Sequence, residues 1–209
     1  MSGVYVNEKA ESDVPGLYAA GDVASVPKQH LTGAFVFGEV AAEQAADFVS
    51  REAGTKMNDG QVRAVEEERN LRFSAAGKDI DVRDLEYKVR RLIGDYVISP
   101  KNEYKLRRWM EWAERFSNEI RDQISIRSAH ELSKLYEVEN ILECACFSAR
   151  ASIERKESRW GDAHRRTDYP DRDDRNFLCH MVLKQGTDPT GITVFHKPVI
   201  HLDSKGVGP

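Results

Sequence analysis

Residues 58–158 repeat apolar side chains at helical spacing in four consecutive segments, and this repetition constrains the fold more than any other feature of the sequence. The first segment covers residues 59–76, and the second follows Asp81. The stripes of the last three segments are Val82, Leu85, Val89, Leu92, Ile93 and Tyr96; Leu106, Trp109, Ala113, Phe116 and Ile120; and Leu135, Val138, Leu142, Ala145, Ala149 and Ile153. Several long amphipathic helices in a row predict an antiparallel bundle.

Two of these helices also carry signals for where they begin. Ser99 is placed as the N-cap of the third helix, with Pro100 at the first helical position, where a missing N–H costs nothing. Ser128 begins the fourth helix, and Glu131 completes a capping box.

The segment before the bundle, residues 1–53, has α/β character. Val4-Tyr5-Val6 and Leu17-Tyr18-Ala19-Ala20 are short β-prone runs, and a Pro15-Gly16 turn leads into the second. Apolar residues then recur at helical spacing from Gly33 to about Glu52. This order predicts part of a nucleotide-binding layer, which is too small to close a core by itself.

The tail after the bundle changes character again and is rich in Asp, Arg, Pro and β-branched residues. Residues 177–183 and 192–202 are predicted strands joined by a turn at 186–191, forming a β-arm laid over the bundle or over a partner. The predicted fold class is therefore α+β, with three parts: residues 1–53 as a partial α/β segment, 54–158 as the helical bundle, and 159–209 as the C-terminal β-arm.

Composition excludes several classes of protein. The 209 residues are 40% apolar and 32% charged with a net charge of -4, which is typical of a globular protein and does not favour a broad nucleic-acid surface. No apolar run approaches the ~20 residues of a membrane span, and the N-terminus lacks the order of a secretory signal, so a cytoplasmic location is expected. Cys144, Cys146 and Cys179 form no CxxC and are expected to be buried thiols.

The strongest local signal for chemistry lies between the second β-prone run and the first helix. Asp22, directly after Gly21, could accept hydrogen bonds from ribityl or ribose hydroxyls. The N–H groups from about Thr32 to Val36 would stabilise an anion or an electron-rich carbonyl, and Gly33 would allow close approach of the backbone. The alternative is that Asp22 only closes a turn and that His30 caps the helix.

Two long motifs are similar to a known family. Residues 6–43, VNEKAESDVPGLYAAGDVASVPKQHLTGAFVFGEVAAE, resemble the C-terminal flavin-contacting segment of the fumarate reductase and succinate dehydrogenase flavoprotein superfamily, which includes the adenylylsulfate reductase α subunit and L-aspartate oxidase. Residues 157–174, ESRWGDAHRRTDYPDRDD, with Asn176 to His180 after them, resemble the signature ESRG-x-H … D-[FY]-P-x-R-D-D-x-N-[WF] of that family.

The resemblance implies an FAD protein in which residues 1–53 are the C-terminal portion of an FAD-binding domain. Asp22, with Gly21 before it, falls on the acidic position that contacts the ribityl chain, and Thr32 with the four residues after it falls on the helix start that faces the flavin pyrimidine edge: Gly33, Ala34, Phe35 and Val36. His30 falls either on the substrate-binding Arg of the family or on a His seen in the adenylylsulfate reductase type, which makes it the candidate catalytic residue. The loop lacks HGANRLGG, so succinate or fumarate as substrate is not favoured.

The chain has no GxGxxG followed by a helix, although that fingerprint opens the N-terminal part of the family. The resemblance therefore covers about the last third of a full-length flavoprotein. It implies a split, heteromeric enzyme whose partner polypeptide carries GxGxxG, or a truncated product. A ferredoxin-like iron–sulfur subunit for electron transfer and a small-molecule substrate are implied as well, and the chain alone is expected to be inactive. The rival hypothesis is a non-catalytic helical scaffold subunit.

The remaining charged clusters are interpreted as structural. The histidines His164, His180, His196 and His201 match no zinc template, so no metal site is expected. The acidic residues of 168–174 alternate with arginines and predict a loop of ion pairs. The basic runs 88–91 and 105–108 alternate with acidic residues at helical spacing, which predicts a salt-bridged helix surface rather than nucleic-acid binding.

Overall fold

The fold was analysed in a computed structural model that describes residues 3–26, 30–52, 58–73, 80–186 and 191–199. The chain divides into two compact units, residues 1–61 and 62–209. The boundaries at 53/54 and 158/159 that the sequence suggested remain predictions. The described residues contain six α-helices and one two-stranded antiparallel sheet, which agrees with the predicted α+β class.

The first unit consists of turns packed on one long helix, α1 (Leu31–Arg51). The two predicted strands are wrong as strands, because each forms only an isolated bridge: Val4 with Ala24, and Glu11 with Tyr18. A tight turn interrupts the pairing, since the Asn7 side-chain oxygen accepts hydrogen bonds from the N–H groups of Lys9 (2.9 Å) and Glu11 (3.0 Å).

Helix α1 is fixed to these turns through its C-terminal half. The Tyr18 hydroxyl donates to the Gln44 carbonyl oxygen at 3.2 Å. Gly16 has a φ of +79°, and a Cβ there would lie 2.9 Å from Cε1 of Phe48. Glycine is therefore required at this turn by both the backbone conformation and the close approach of the Phe48 ring.

Four helices follow: α2 (Asp59–Phe73), α3 (Val82–Tyr96), α4 (Glu103–Gln123) and α5 (Ala129–Glu154). The second unit includes α2 from residue 62 onward and all of the other three. Two predicted starts are confirmed. Asp81 accepts a hydrogen bond from the Arg83 N–H, and the Ser128 hydroxyl accepts one from the Glu131 N–H at 3.2 Å. The predicted end of α2 at residue 76 lies outside the described residues.

The predicted start of α4 is wrong. Asn102, not Ser99, is its N-cap, and the Asn102 side chain accepts a hydrogen bond from the Lys105 N–H at 2.8 Å. The Ser99 hydroxyl instead accepts from the Arg165 N–H at 3.1 Å. Lys101 continues this pairing, because its N–H donates to the Arg165 carbonyl at 2.8 Å. Residues 99–101 are thus extended along the C-terminal loop.

The core of the second unit forms where the stripes of α3, α4 and α5 meet. Its buried side chains are Val82, Leu85, Val89, Leu106, Trp109, Ala113, Phe116, Ile120, Leu132, Leu135, Val138, Leu142, Ala145, Ala149 and Ile153, with Val97, Ile124 and Ile126 from the connections. Leu92, Ile93 and Tyr96 are only partly buried and pack against this core. The helical periodicity therefore identified the packing face of each of these three helices.

The tail forms a short helix and a hairpin. Helix α6 (Asp174–Phe177) precedes β1 (Cys179–Gln185), which pairs with β2 (Ile192–Pro198) so that Cys179 faces Pro198 and Gln185 faces Ile192. The first strand begins two residues later than predicted, because the Asp173 side chain caps α6 through the Asn176 N–H. The predicted residues 187–190 and 200–202 lie outside the described part. No helix among the described residues has the length and apolar character needed to cross a bilayer.

We expect Asn102→Ala to lower the free energy of unfolding by about 1 kcal/mol, because the α4 start loses its capping acceptor. Urea unfolding followed by circular dichroism measures this change. The matched control is Asn118→Ala, at an exposed position inside the same helix, which should change stability by less than about 0.5 kcal/mol. Equal effects of the two substitutions would contradict the assignment of Asn102 as the cap.

Candidate flavin-contacting site and the buried ionic cluster

The structure brings the Gly21-Asp22 turn against the first turn of α1. Residues 21–23 form a single 3-10 turn, closed by the Ala24 N–H donating to the Gly21 carbonyl at 3.0 Å. Gly21 is buried with a φ of +75°, and a Cβ there would lie 3.6 Å from the Ala34 Cβ. Asp22 is exposed beside this contact. The turn and the helix start therefore share one surface.

Helix α1 begins two residues earlier than predicted, and this changes which backbone donors are available. The Ala34 N–H donates to the His30 carbonyl at 3.0 Å, so the N–H groups of Leu31, Thr32 and Gly33 lie ahead of the helical pattern and have no acceptor within the helix. The expectation of available N–H groups as far as Val36 is wrong, because residues from Ala34 onward are inside the helix.

His30 is exposed and occupies the N-cap position of α1, but its side chain makes no capping hydrogen bond with described residues. The first turn also carries no acidic side chain, so the positive end of the helix dipole is not compensated there. Phe35 and Val36 are 75% and 53% exposed. The site thus offers backbone donors, a carboxylate and an apolar surface within two turns of helix.

A buried ionic cluster forms in the second unit around Glu157, which is 0% exposed. Its carboxylate accepts hydrogen bonds from Arg155 Nη1 (2.6 Å), from Arg159 Nε (2.7 Å) and Nη2 (2.9 Å), and from the Asp173 N–H (2.8 Å). Burial alone would raise the pKa of Glu157, but these four donors outweigh it and keep the pKa below its usual value.

Arg166, also fully buried, forms the second half of the cluster. Its guanidinium binds Asp168 in a bidentate pair of 2.8 and 2.7 Å and also donates to the carbonyl oxygens of Ser152 and Arg155. Asp168 accepts in addition from the Glu103 N–H at 2.8 Å. The predicted loop of ion pairs is therefore confirmed, and it joins the start of α4 to the end of α5.

Two further basic side chains, Lys101 and His164, are buried beside Arg166. The Lys101 ammonium donates to the Ser152 hydroxyl at 3.0 Å, and burial together with the charge of Arg166 lowers the pKa of Lys101. Burial, followed by the charge of Lys101, lowers the pKa of His164 to about 4. His164 is therefore neutral at neutral pH and fits a structural position. Sequence reasoning missed Lys101 and Arg155, and the only signal for Arg155 was its spacing of two residues from Glu157.

The predictions for the basic runs and the cysteines can be compared with the structure. Among the described residues, no group of His, Cys, Asp and Glu could hold a metal ion, but His201 lies outside them, so the absence of a metal site stays a prediction. The salt-bridge interpretation is confirmed for Arg90, Arg107 and Arg108, which pair with Glu86, Glu103 and Glu111, but Lys88 and Arg91 form no ion pair with a described residue. Cys144 is exposed, contrary to the expectation of burial. Cys146 is partly buried, and burial raises its pKa to about 11.

In the second unit, the helices are followed by a loop of ion pairs and a hairpin. Residues 88–204, more than half of the chain, match the family model described as the fumarate reductase flavoprotein C-terminus. The chain therefore belongs to this family of flavoproteins.

Individual relatives agree with the family. The fumarate reductase flavoprotein subunit of Mycobacterium tuberculosis is 30% identical over 95% of this chain and 37% of its own length. An FAD-dependent oxidoreductase of Methanocaldococcus jannaschii is 28% identical over 82% of this chain and 32% of its own length. The chain thus spans about a third of the length of these relatives.

Solved structures share the fold. Adenylylsulfate reductase of Archaeoglobus fulgidus superposes with a TM-score of 0.82 at 21% identity, covering 94% of this chain and 35% of that one. A variant of the E. coli quinol fumarate reductase superposes with a TM-score of 0.76 at 23% identity, covering 94% and 36%.

We expect the stability of the protein to fall between pH 6.5 and 4 because of His164. In the unfolded chain the imidazole binds a proton near pH 6.5, whereas the native imidazole does so only near pH 4. The contribution is therefore present above the unfolded pKa and is lost as the pH falls, with a slope of up to about 1.4 kcal/mol per pH unit. Urea unfolding at several pH values measures this slope.

His164→Gln should remove that part of the slope, whatever its effect on stability at pH 7. The control is His130→Gln at an exposed position in the first turn of α5, which should keep the wild-type slope. An unchanged slope in His164→Gln would show that His164 is not held neutral by burial.

Proposed function

We propose that this chain forms the ribityl and pyrimidine side of an FAD site in an oxidoreductase of the fumarate reductase and adenylylsulfate reductase type. The observation that carries the proposal is the contact between the Gly21-Asp22 turn and the first turn of α1. It brings the exposed carboxylate of Asp22 close to the first three N–H groups of α1, which belong to exposed Leu31 and Thr32 and to buried Gly33 and have no acceptor within the helix. The family membership supports the choice of a flavin as the ligand.

The residues present fit this cofactor. Asp22 would accept hydrogen bonds from ribityl hydroxyls, and the N–H groups of Thr32 and Gly33 would donate to the carbonyl edge of the pyrimidine ring. Ala34, Phe35 and Val36 would line the adjoining surface, while Gly21 holds the turn close to the helix. When bound, FAD supplies the acceptance of a hydride or of electrons. The uncompensated positive end of α1 would stabilise negative charge at that edge.

The exposed apolar surface of the first unit supports a completing polypeptide. Leu31, Phe35, Val36 and Val49 on α1 are each more than half exposed, and Leu17 on the facing turn is as well. Apolar patches of this kind mark interaction surfaces. We propose that the covering element is the FAD-domain polypeptide that carries GxGxxG and binds the pyrophosphate, and that the chain without it is inactive.

His30 is proposed to bind or polarise a small-molecule substrate beside the flavin. It is exposed at the N-cap of α1, directly before the proposed pyrimidine contacts. The M. tuberculosis relative is named a flavoprotein subunit. From this name and from the motif resemblance, we propose that the chain is part of a heteromeric assembly. We also propose that it passes electrons to a ferredoxin-like iron–sulfur subunit.

A non-catalytic scaffold is the second candidate, and the ionic cluster favours it. Glu157, Arg155 and Arg166 are buried and bonded to one another, to Asp168 or to backbone carbonyls. The family signature in this chain therefore maintains the architecture of the second unit. A scaffold would retain this cluster and would not bind flavin.

We expect Asp22→Ala to weaken FAD binding about tenfold in the complex of this chain with the GxGxxG polypeptide, because a hydrogen bond to a charged group is lost. Flavin fluorescence titration measures the affinity. The control is Glu39→Ala, an exposed carboxylate further along α1, which should leave the affinity unchanged. A complex that forms without binding FAD would support the scaffold instead.

We expect His30→Ala to lower turnover by about 10- to 100-fold in the same flavin-loaded complex, with little effect on FAD affinity. Fumarate, succinate and adenylylsulfate are the trial substrates, with a redox dye as electron donor or acceptor. His130→Ala is the matched control, since His130 is exposed in another helix. Unchanged turnover and unchanged substrate affinity in His30→Ala would remove this residue from the site.

A further inference from the structure

A groove between α3 and α4 has no role in the proposed flavin site. It encloses about 410 Å³, and its apolar lining comes from Tyr87, Leu92, Trp112 and Phe116. We propose that this groove is a twofold interface and that its occupant is the same groove of a second copy of this chain.

The groove combines aromatic side chains with an arginine, Arg91. Tyr87 is 67% exposed, whereas Phe116 is 1% exposed and forms the floor of the groove. The Trp112 ring stacks on Phe116 with centroids 6.1 Å apart, and the guanidinium of Arg115, which does not line the groove, lies 4.8 Å from the Trp112 ring centroid. Aromatic residues and arginine are enriched where protein interfaces exclude water. Trp112 is held by its contacts with Phe116 and Arg115, so this side chain would lose little conformational entropy on association.

The charged residues of the groove differ from the other charges of the same helices. Arg90, Arg107 and Arg108 each pair with a glutamate of their own helix. The four charged residues that line the groove have no ion pair with any described residue: Lys88, Arg91, Asp95 and Glu119. Oε2 of Glu119 is buried and has no hydrogen-bond partner in the described part of the chain. A buried carboxylate oxygen without a donor is unfavourable, so a donor from outside is expected.

The order of these charges along α3 suits a twofold axis. Lys88 and Asp95 are seven residues apart, which places them on one face about 10 Å from each other, with Leu92 between them. If two α3 helices pack antiparallel across an axis near Leu92, Lys88 faces the partner's Asp95. An isologous interface requires this self-complementary pattern. A groove lined by a single charge sign would repel a second copy.

The test is sedimentation equilibrium of the full chain, followed by charge reversal. Wild type should dimerise reversibly. Lys88→Glu and Asp95→Lys should each raise the dissociation constant about tenfold or more, because each places like charges opposite one another. The double variant K88E/D95K restores opposite charges and should return the dissociation constant to within about threefold of wild type. Arg83→Glu, exposed on α3 outside the groove, is the matched control and should not change it.

Three results would overturn the proposal. The first is a chain that stays monomeric at the highest soluble concentration. The second is a dimer whose dissociation constant is unchanged by Lys88→Glu and by Asp95→Lys. If Phe35→Ser abolishes such a dimer, association uses the surface of α1 instead of the groove. The third is a double variant that dimerises no better than the singles. If a charge reversal prevents folding, as judged by circular dichroism, Tyr87→Ser replaces it, because this exposed position tolerates substitution and should also weaken the dimer.

Discussion

The buried carboxylate of Glu157 is the interaction on which the C-terminal half of the second unit depends. It holds Arg155 at the end of α5, and Arg155 also donates to the carbonyl oxygens of Phe177 and Cys179 at 2.8 Å each. Arg159 and the Asp173 backbone complete its contacts. One carboxylate therefore orders the end of a helix, a loop and the first strand. Removing one partner of a buried ion pair lowers the free energy of unfolding by about 3–5 kcal/mol, because the other charge is left uncompensated.

The first unit differs from this cluster, because several of its polar and apolar groups are exposed and can contact a ligand or a partner. Its small core of Val6, Ala19, Ala24 and Val26 fixes the turns, while the outer surface of α1 stays exposed. The first three N–H groups of α1, which have no acceptor within the helix, and the exposed Asp22 lie beside that surface. Donors, an acceptor and apolar area held together on a rigid turn and helix are the usual elements of a preorganised binding site.

The sequence predicted local features well where burial follows a period. The stripes of α3, α4 and α5 were correct, as were the start of α3 after Asp81 and the cap at Ser128. The cap at Ser99 was wrong, because the hydroxyl bonds to Arg165, 66 residues away in the chain. The start of α1 was misplaced by two residues, which moved the available donors from Thr32–Val36 to Leu31–Gly33. The strands around Val4 and Tyr18 were reduced to single bridges by the Asn7 turn.

The sequence alone determined the helical order of the bundle, the acidic position at Asp22 and the two motifs that mark the family. These depend on spacing along the chain, which is local. Only the tertiary structure decided that Glu157 and Arg166 are fully buried, that His164 is neutral, and that Gly21 contacts Ala34. The physical reason is that desolvation and hydrogen-bond pairing depend on neighbours brought together from distant parts of the chain, and residue spacing does not contain that information.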